Sequence, residues 1–211
     1  INPHFLHNTL NSIKWMAALQ GAEGIRDMAS CLGRLLRAVM GRVNEKITIR
    51  EELALLDDYI YIQRIRYRDK INYEREITKD DTHPPVTECL IPKFTLQPLV
   101  ENAIFHGIEP KDGSGTIIVS VLRGTDDLEI SVWDDGVGIS PAKLSSLLRP
   151  PQGEHSDGRS EKIGLRNVHN QMQLIYGDQY GLQVESEEGA YTKVSIRLPI
   201  EVSDSVEDPN S

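Results

Sequence analysis

Apolar residues at Leu6, Leu10, Ile13 and Ala17 step by four, three and four along residues 3–20, which describes one face of a helix. Gly21-Ala22-Glu23-Gly24 interrupts the pattern. Ile25, Met28, Leu32, Leu35 and Val39 then resume it. Two amphipathic arms joined by a short breaker predict a helical hairpin with a heptad-like seam on each arm. Two helices cannot bury both seams alone, so the pattern predicts dimerisation into a four-helix bundle. The alternative is that the hairpin packs on a third helix of its own chain. Such a helix is predicted over 49–68. Thr48-Ile49-Arg50-Glu51 has the form of a capping box, and Leu53, Leu56, Tyr59, Ile60 and Tyr61 are candidates for burial.

From Ile71 the period changes to two. Ile71, Tyr73, Arg75 and Ile77 alternate as in a strand, and the polar stretch from Lys79 to Pro85 reads as a loop. A helix is predicted over Pro98–His106, with Leu99, Ala103 and Ile104 inward. Strands follow at Thr116–Leu122 and Leu128–Trp133. Residues 140–163 hold prolines, glycines and serines without periodicity, and a stretch of that length in a folded domain points to a functional loop. A last helix begins near 165, with Leu165, Val168, Met172 and Ile175 on one face and Gly177 past its end. Leu182–Val184 and Thr192–Leu198 form a hairpin around Glu188-Gly189. Strands with helices on one face make the second half α+β. We expect 1–69 to be the helical part, 70–202 the α+β domain, and 203–211 a disordered tail.

Composition narrows the class. The chain has 211 residues, 39% hydrophobic and 26% charged, as suits a soluble protein with a sizeable core. Its net charge of −9 argues against nucleic acid or an anionic membrane as partner. A phosphate ligand would therefore need a local positive or metal-bearing site. Cys31 and Cys89 fit no metal spacing and read as two reduced thiols. No signal peptide is visible in this sequence, and no run of 18 apolar residues occurs in it. The chain opens on Ile1, inside a candidate motif, so it reads as a fragment whose upstream part, any membrane span included, is not visible.

Four pieces carry candidate chemistry. His4 opens the first helix. An imidazole is a nucleophile that is largely uncharged near neutral pH, and Asn8 lies one turn on, able to orient the ring or a water. Asn102 and His106 share a helix face, and an amide oxygen is a suitable hard ligand for Mg²⁺. Asp134-Asp135-Gly136-Val137-Gly138 follows a strand; a carboxylate there can accept from an exocyclic amino group, and glycines allow close backbone approach. Lys162-Ile163-Gly164-Leu165-Arg166-Asn167 enters a helix whose first N–H groups can hold phosphate, with Arg166 adding positive charge. Each piece alone is weak, since Asp-Gly turns and helix-entry glycines are common.

Their order is specific. An Asn helix, a strand ending in Asp-x-Gly-x-Gly, a long loop, a glycine entering a helix and a closing hairpin resemble the ATP-binding domain shared by DNA gyrase, Hsp90, MutL and histidine kinases. Asn2-Pro3-His4-Phe5-Leu6, Leu96-Gln97-Pro98-Leu99-Val100-Glu101-Asn102-Ala103 and Gly164-Leu165-Arg166-Asn167-Val168 resemble the LytS/YesM-type bacterial sensor histidine kinases, over about residues 1–200. The resemblance implies a Bergerat-type (GHKL) α+β sandwich and a two-component sensor kinase. His4 would be the phosphoacceptor and Asn102 the Mg²⁺ ligand. Asp134 would accept from adenine, with Gly136 and Gly138 lining base and ribose. Gly164, Leu165, Arg166 and His106 would lie about the ATP phosphates. It implies a homodimer, a response-regulator receiver domain as partner, and a cytoplasmic portion of a bacterial membrane sensor. Two residues depart from the family pattern. His7 replaces a common aromatic and puts a second imidazole near His4. Phe105 stands where many members have Lys, which removes a phosphate contact that His106 or Lys93 would have to supply. The rival readings are an ATPase or protein serine kinase on the same fold, and a dimeric signalling module with a degenerate pocket.

Overall fold

In the computed structural model, residues 3–42, 45–78, 84–145, 147 and 163–203 are described. The elements run α1 (Pro3–Leu19), α2 (Glu23–Val39), β1 (Lys46–Thr48), α3 (Ile49–Tyr67), β2 (Ile71–Ile77), β3 (Leu90–Pro92), α4 (Leu96–Asn102), β4 (Gly115–Arg123), β5 (Asp127–Asp134), α5 (Pro141–Leu144), α6 (Ile163–Tyr176), β6 (Leu182–Glu187) and β7 (Tyr191–Pro199). Of the tail expected at 203–211 all but Ser203, and of the loop expected at 140–163 residues 146 and 148–162, lie outside the described residues.

The hairpin forms where its pattern breaks. Gly21 takes φ +66° and the chain reverses there, Ala22 N–H donating to Ala17 O at 2.9 Å. Glu23 and Gly24, expected in the breaker, are already helical, and Glu23 complements the positive end of α2. One face of α2 lies against α3, with Ala29 and Cys31 buried. Arg34 reaches across and donates through Nε and Nη2 to Asp58 at 2.6 and 2.5 Å, which compensates a carboxylate only 8% exposed. The hairpin therefore does pack on its own third helix. A second apolar seam stays uncovered, however. Ile25, Leu32 and Val39 are 56%, 45% and 65% exposed on α2, and Trp15 and Leu19 are similarly bare on α1.

The capping box starts α3: Thr48 Oγ1 accepts from Glu51 N–H, and Glu51 Oε2 accepts from Thr48 N–H at 2.9 Å. Ile49, Leu53, Leu56, Tyr59 and Ile60 are buried, while Tyr61, one step further round, is half-buried. These α3 residues share one apolar cluster with the sheet, so packing does not break at residue 70.

The sheet has order β2-β4-β5-β7-β6, with β2 parallel to β4 and the remaining pairs antiparallel. Alternate residues Ile117, Val119 and Val121 on β4, and Leu128, Ile130 and Val132 on β5, are buried in the core with Leu99, Ile104, Leu165 and Met172 from the helices. A small β1–β3 sheet was not visible in the sequence, because three-residue strands, one ending in proline, have too few positions to show a period.

The helix expected over 98–106 is longer at both ends. It begins at Leu96 and, after Asn102, continues as a π-helix over Ala103–Ile108. Its start has an unusual cap. Phe94 sits at φ +61° and Thr95 makes no side-chain cap. Glu52 of α3 does the capping instead: Oε2 accepts from Phe94 N–H at 2.9 Å and Oε1 from Leu96 N–H at 2.8 Å. Glu52 is 2% exposed, and burial pushes its carboxyl up to about 7 despite those N–H donors. A raised folded-state value means the fold binds the proton more tightly than the unfolded chain. This contribution is full below the ordinary 4.5 and is lost as pH rises through about 7. Glu52→Ala leaves two helix-start N–H groups unpaired and is expected to cost about 3 kcal/mol in urea unfolding. Glu52→Gln is expected to cost less and to remove this part of the stability slope between pH 5 and 8.

Candidate functional site

The π-turns after Asn102 fall where the helix meets a cavity of about 290 Å³ lined by Pro98, Glu101, Asn102, Phe105, His106, Gly164 and Leu165. Asn102 and His106, expected on one face, do line it together. No hydrogen bond among the described residues engages the Asn102 amide, whose oxygen is a donor suited to a hard cation. No group of three His, Cys, Asp or Glu among the described residues could hold a metal by itself. A Mg²⁺ at Asn102 would therefore draw most of its oxygens from phosphate and water, and the residues fit that role.

Gly164 and Leu165 reach the same cavity from the first turn of α6. A Cβ built on Gly164 would find only Pro98 Cβ, at 3.9 Å, so the space above it belongs to the cavity and not to protein. Arg166 is half-buried and is not one of the lining residues. Lys162 lies outside the described residues.

Asp134, Gly136 and Gly138 form a second group, behind the helix. Asp134 ends β5, is 2% exposed, and accepts from Gly136 N–H at 3.0 Å through Oδ1. Burial pushes its carboxyl up to about 7; Asp135 adds to the rise, while the Gly136 N–H and Lys111 oppose it. The glycines here are required by backbone packing. A Cβ on Gly136 would stand 2.3 Å from Gly107 Cα, and one on Gly107 would stand 2.2 Å from Asp134 Oδ1. Gly138 has φ +66°, and a Cβ there would meet Glu187 O at 2.0 Å. The side of each glycine that would carry a Cβ thus faces protein. Gly107 was missed by the sequence reading, although a glycine inside a helix pattern signals a close backbone approach.

At the other end of the chain, the Asn8 amide nitrogen lies 3.3 Å from His4 Nδ1 and 3.5 Å from Nε2. The contact places the Asn8 amide within reach of the ring nitrogens, with the donor and acceptor roles set by the ring's tautomer. His4 is exposed and His7 half-buried. The short turn at Gly21 makes α1 and α2 antiparallel, so His4 lies at the end of the hairpin where α2 finishes. That end borders a second cavity, lined by Ala38, Val39, Gly41 and Arg42 with Lys93, Phe94 and residues of α6. The two cavities share Pro98 and Gly164. Lys93 is not at the Asn102 cavity. Its ammonium donates to Ala38 O at 3.2 Å and pairs with Glu45, which ties it to the end of α2.

A family model described as histidine kinase matches residues 1–71. Another, for histidine kinase-, DNA gyrase B- and HSP90-like ATPases, matches residues 92–202. This chain belongs to the histidine kinase family. Sensor histidine kinase YesM of Bacillus subtilis is 36% identical over 199 residues, which are 94% of this chain and 32% of that protein. YpdA of Escherichia coli, also a sensor histidine kinase, is 36% identical over 94% of this chain and 33% of its own. The chain thus spans about a third of the length of these relatives. In fold it is similar to the histidine kinase domain of the Erythrobacter litoralis blue-light activated kinase, with TM-score 0.51 at 16% identity, covering 94% of each chain. The catalytic domain of histidine kinase ThkA gives TM-score 0.53 at 14% identity, over 75% of this chain and 98% of that one.

The two glycine sites make opposite predictions. Gly136→Ala drives a methyl into Gly107 and is expected to lower stability by about 2 kcal/mol or more. Gly164→Ala places its methyl in open space and is expected to leave the thermal midpoint within about 2 °C of wild type.

Proposed function

We propose that this chain is the kinase portion of a two-component sensor and transfers the terminal phosphoryl group of ATP to His4. The observation that carries the reading is that the two cavities share Pro98 and Gly164 as lining residues. The hairpin end that bears His4, its ring in contact with Asn8, borders the cavity at Ala38 and Val39, which meets the Asn102 cavity at Pro98 and Gly164. The sensor kinases YesM and YpdA, matched along nearly the whole chain, support it.

Each residue then has a chemical task. Asp134 accepts a hydrogen bond from the adenine amino group with its free oxygen. His106 and the α6 entry at Gly164 and Leu165 flank the phosphates, and Arg166 adds charge beside them. Asn102 holds Mg²⁺, which when bound spreads the negative charge of the phosphates. An unprotonated nitrogen of His4 attacks the terminal phosphorus in line, the bond to the ADP oxygen breaks, and the ring N–H proton passes to solvent. Asn8 steadies the ring, since its amide donates to an unprotonated nitrogen or, flipped, accepts from the N–H. Phosphohistidine then passes its phosphoryl group to an aspartate of a receiver domain.

In the same proposal, residues 1–69 serve acceptance and dimerisation and 70–202 serve nucleotide binding, with α3 joining the two. The bare seam of Ile25, Leu32 and Val39 supports a homodimer. No described helix is long and apolar enough to cross a membrane. The placement as the cytoplasmic end of a membrane sensor rests on its relatives.

Incubation with γ-labelled ATP is expected to label the protein with acid-labile, base-stable phosphate. His4→Ala should lose the label, His7→Ala should keep it, and Asn8→Ala should slow its appearance. Label that survives His4→Ala overturns the assignment. ATP binding without any label points to an ATPase or a serine kinase, and no binding to a degenerate module.

Nucleotide affinity should also depend on pH. Asp134 is raised to about 7, so in the free protein it is largely protonated at pH 6 and ionised at pH 8. The adenine amino donor favours the ionised form, so affinity is expected to rise through that window. Asp134→Asn should bind more weakly and lose the dependence, as read by titration of a fluorescent ATP analogue.

A further inference from the structure

None of the residues lining the Asn102 cavity is lysine or arginine, and one of them is Glu101. A nucleoside triphosphate carries several negative charges, and a chain of net charge −9 offers no general attraction for it. A cation beside this cavity that is not committed elsewhere is therefore significant. Several described arginines have a carboxylate partner: Arg34 has Asp58, Arg50 has Glu88, and Arg75 has Asp57. Arg66, in the last turn of α3, has none among the described residues. Its guanidinium lies instead over two rings, 5.0 Å from the centroid of Tyr67 and 5.9 Å from that of Phe105. Phe105 lines the cavity and follows Asn102 by three residues, on the same side of the helix. Tyr67 is itself held, its hydroxyl donating to Glu109 Oε2 at 2.9 Å.

We propose that Arg66 is a phosphate-binding residue, carried on the Phe105 ring at the rim of the Asn102 cavity and directed to the terminal phosphates of the bound nucleotide. The inference rests on the nucleotide reading above and assigns a new residue to it. A guanidinium held over a ring by its charge still has N–H donors that suit a phosphate. Phe105 is the positioning residue: its ring holds the guanidinium beside the cavity and contributes no charge. The arrangement couples α3, and through it the hairpin, to whether the nucleotide carries its terminal phosphate.

The test compares ATP, ADP and AMP as competitors of a fluorescent ATP analogue, each with Mg²⁺, on variants whose folding is checked by circular dichroism. Arg66→Ala is expected to weaken ATP about tenfold, ADP less, and AMP not at all. Arg66→Lys keeps the charge without the planar fork and should recover only part of the loss. Phe105→Leu should reproduce the ATP-selective loss in milder form, and Phe105→Tyr should restore wild-type affinity. An equal loss for all three nucleotides means a structural role and overturns the proposal, as does no loss at all. A wild-type chain that binds none of the three defeats the nucleotide reading itself, whereas wild-type binding with an unselective Arg66→Ala defeats only this assignment.

Discussion

The carboxylate of Glu52 is the contact on which the arrangement depends. It sits in the interior, where an ionised group is costly, and it is held there by the helix-start N–H groups it caps. Because Glu52 belongs to α3 and the capped helix carries Asn102, one buried interaction sets the position of the cavity relative to the hairpin. The helix does not cap itself, since Phe94 stands in a left-handed conformation and the Thr95 hydroxyl donates to Pro92 O rather than capping the helix start. The two halves of the chain are thereby joined by polar contacts as well as by apolar packing. Arg34 with Asp58, and Lys93 with Ala38 and Glu45, add to the same seam.

A second constraint is close backbone packing around Asp134. Gly107 and Gly136 touch where any side chain would collide, and this lets the carboxylate lie buried against the π-turns. Burial raises its proton affinity, and the single N–H donor from Gly136 does not compensate fully. An under-satisfied buried acceptor is a cost in the free protein that a ligand donor can relieve. The glycines therefore set where this buried acceptor stands.

The hairpin shows two uses of one amphipathic pattern. Helix α2 buries Ala29 and Cys31 on α3, while Ile25, Leu32 and Val39 remain in water. A helix has room for two apolar stripes, and α2 buries one on α3 while the other stays exposed.

Much of the fold was legible in the sequence, because helices and strands with one buried face show their period. The hairpin, the capped α3, the strands of the main sheet and the final helix all fall near their expected positions. The β1–β3 sheet was not legible, since its strands are too short to show a period. The π-turns after Asn102 were not legible either, because i→i+5 bonding follows from packing against Asp134 and the sheet and not from propensity. The candidate site divides in the same way. The residue types and their order were readable, from His4 and Asn8 through Asn102, Asp134 and Gly164. Which of them share a cavity was not. Contacts between residues far apart in the chain, such as Glu52 with Leu96, Gly107 with Gly136 and Arg66 with Phe105, arise only once the helices settle on the sheet. Periodicity records which face of an element is buried, and only tertiary packing decides what that face meets.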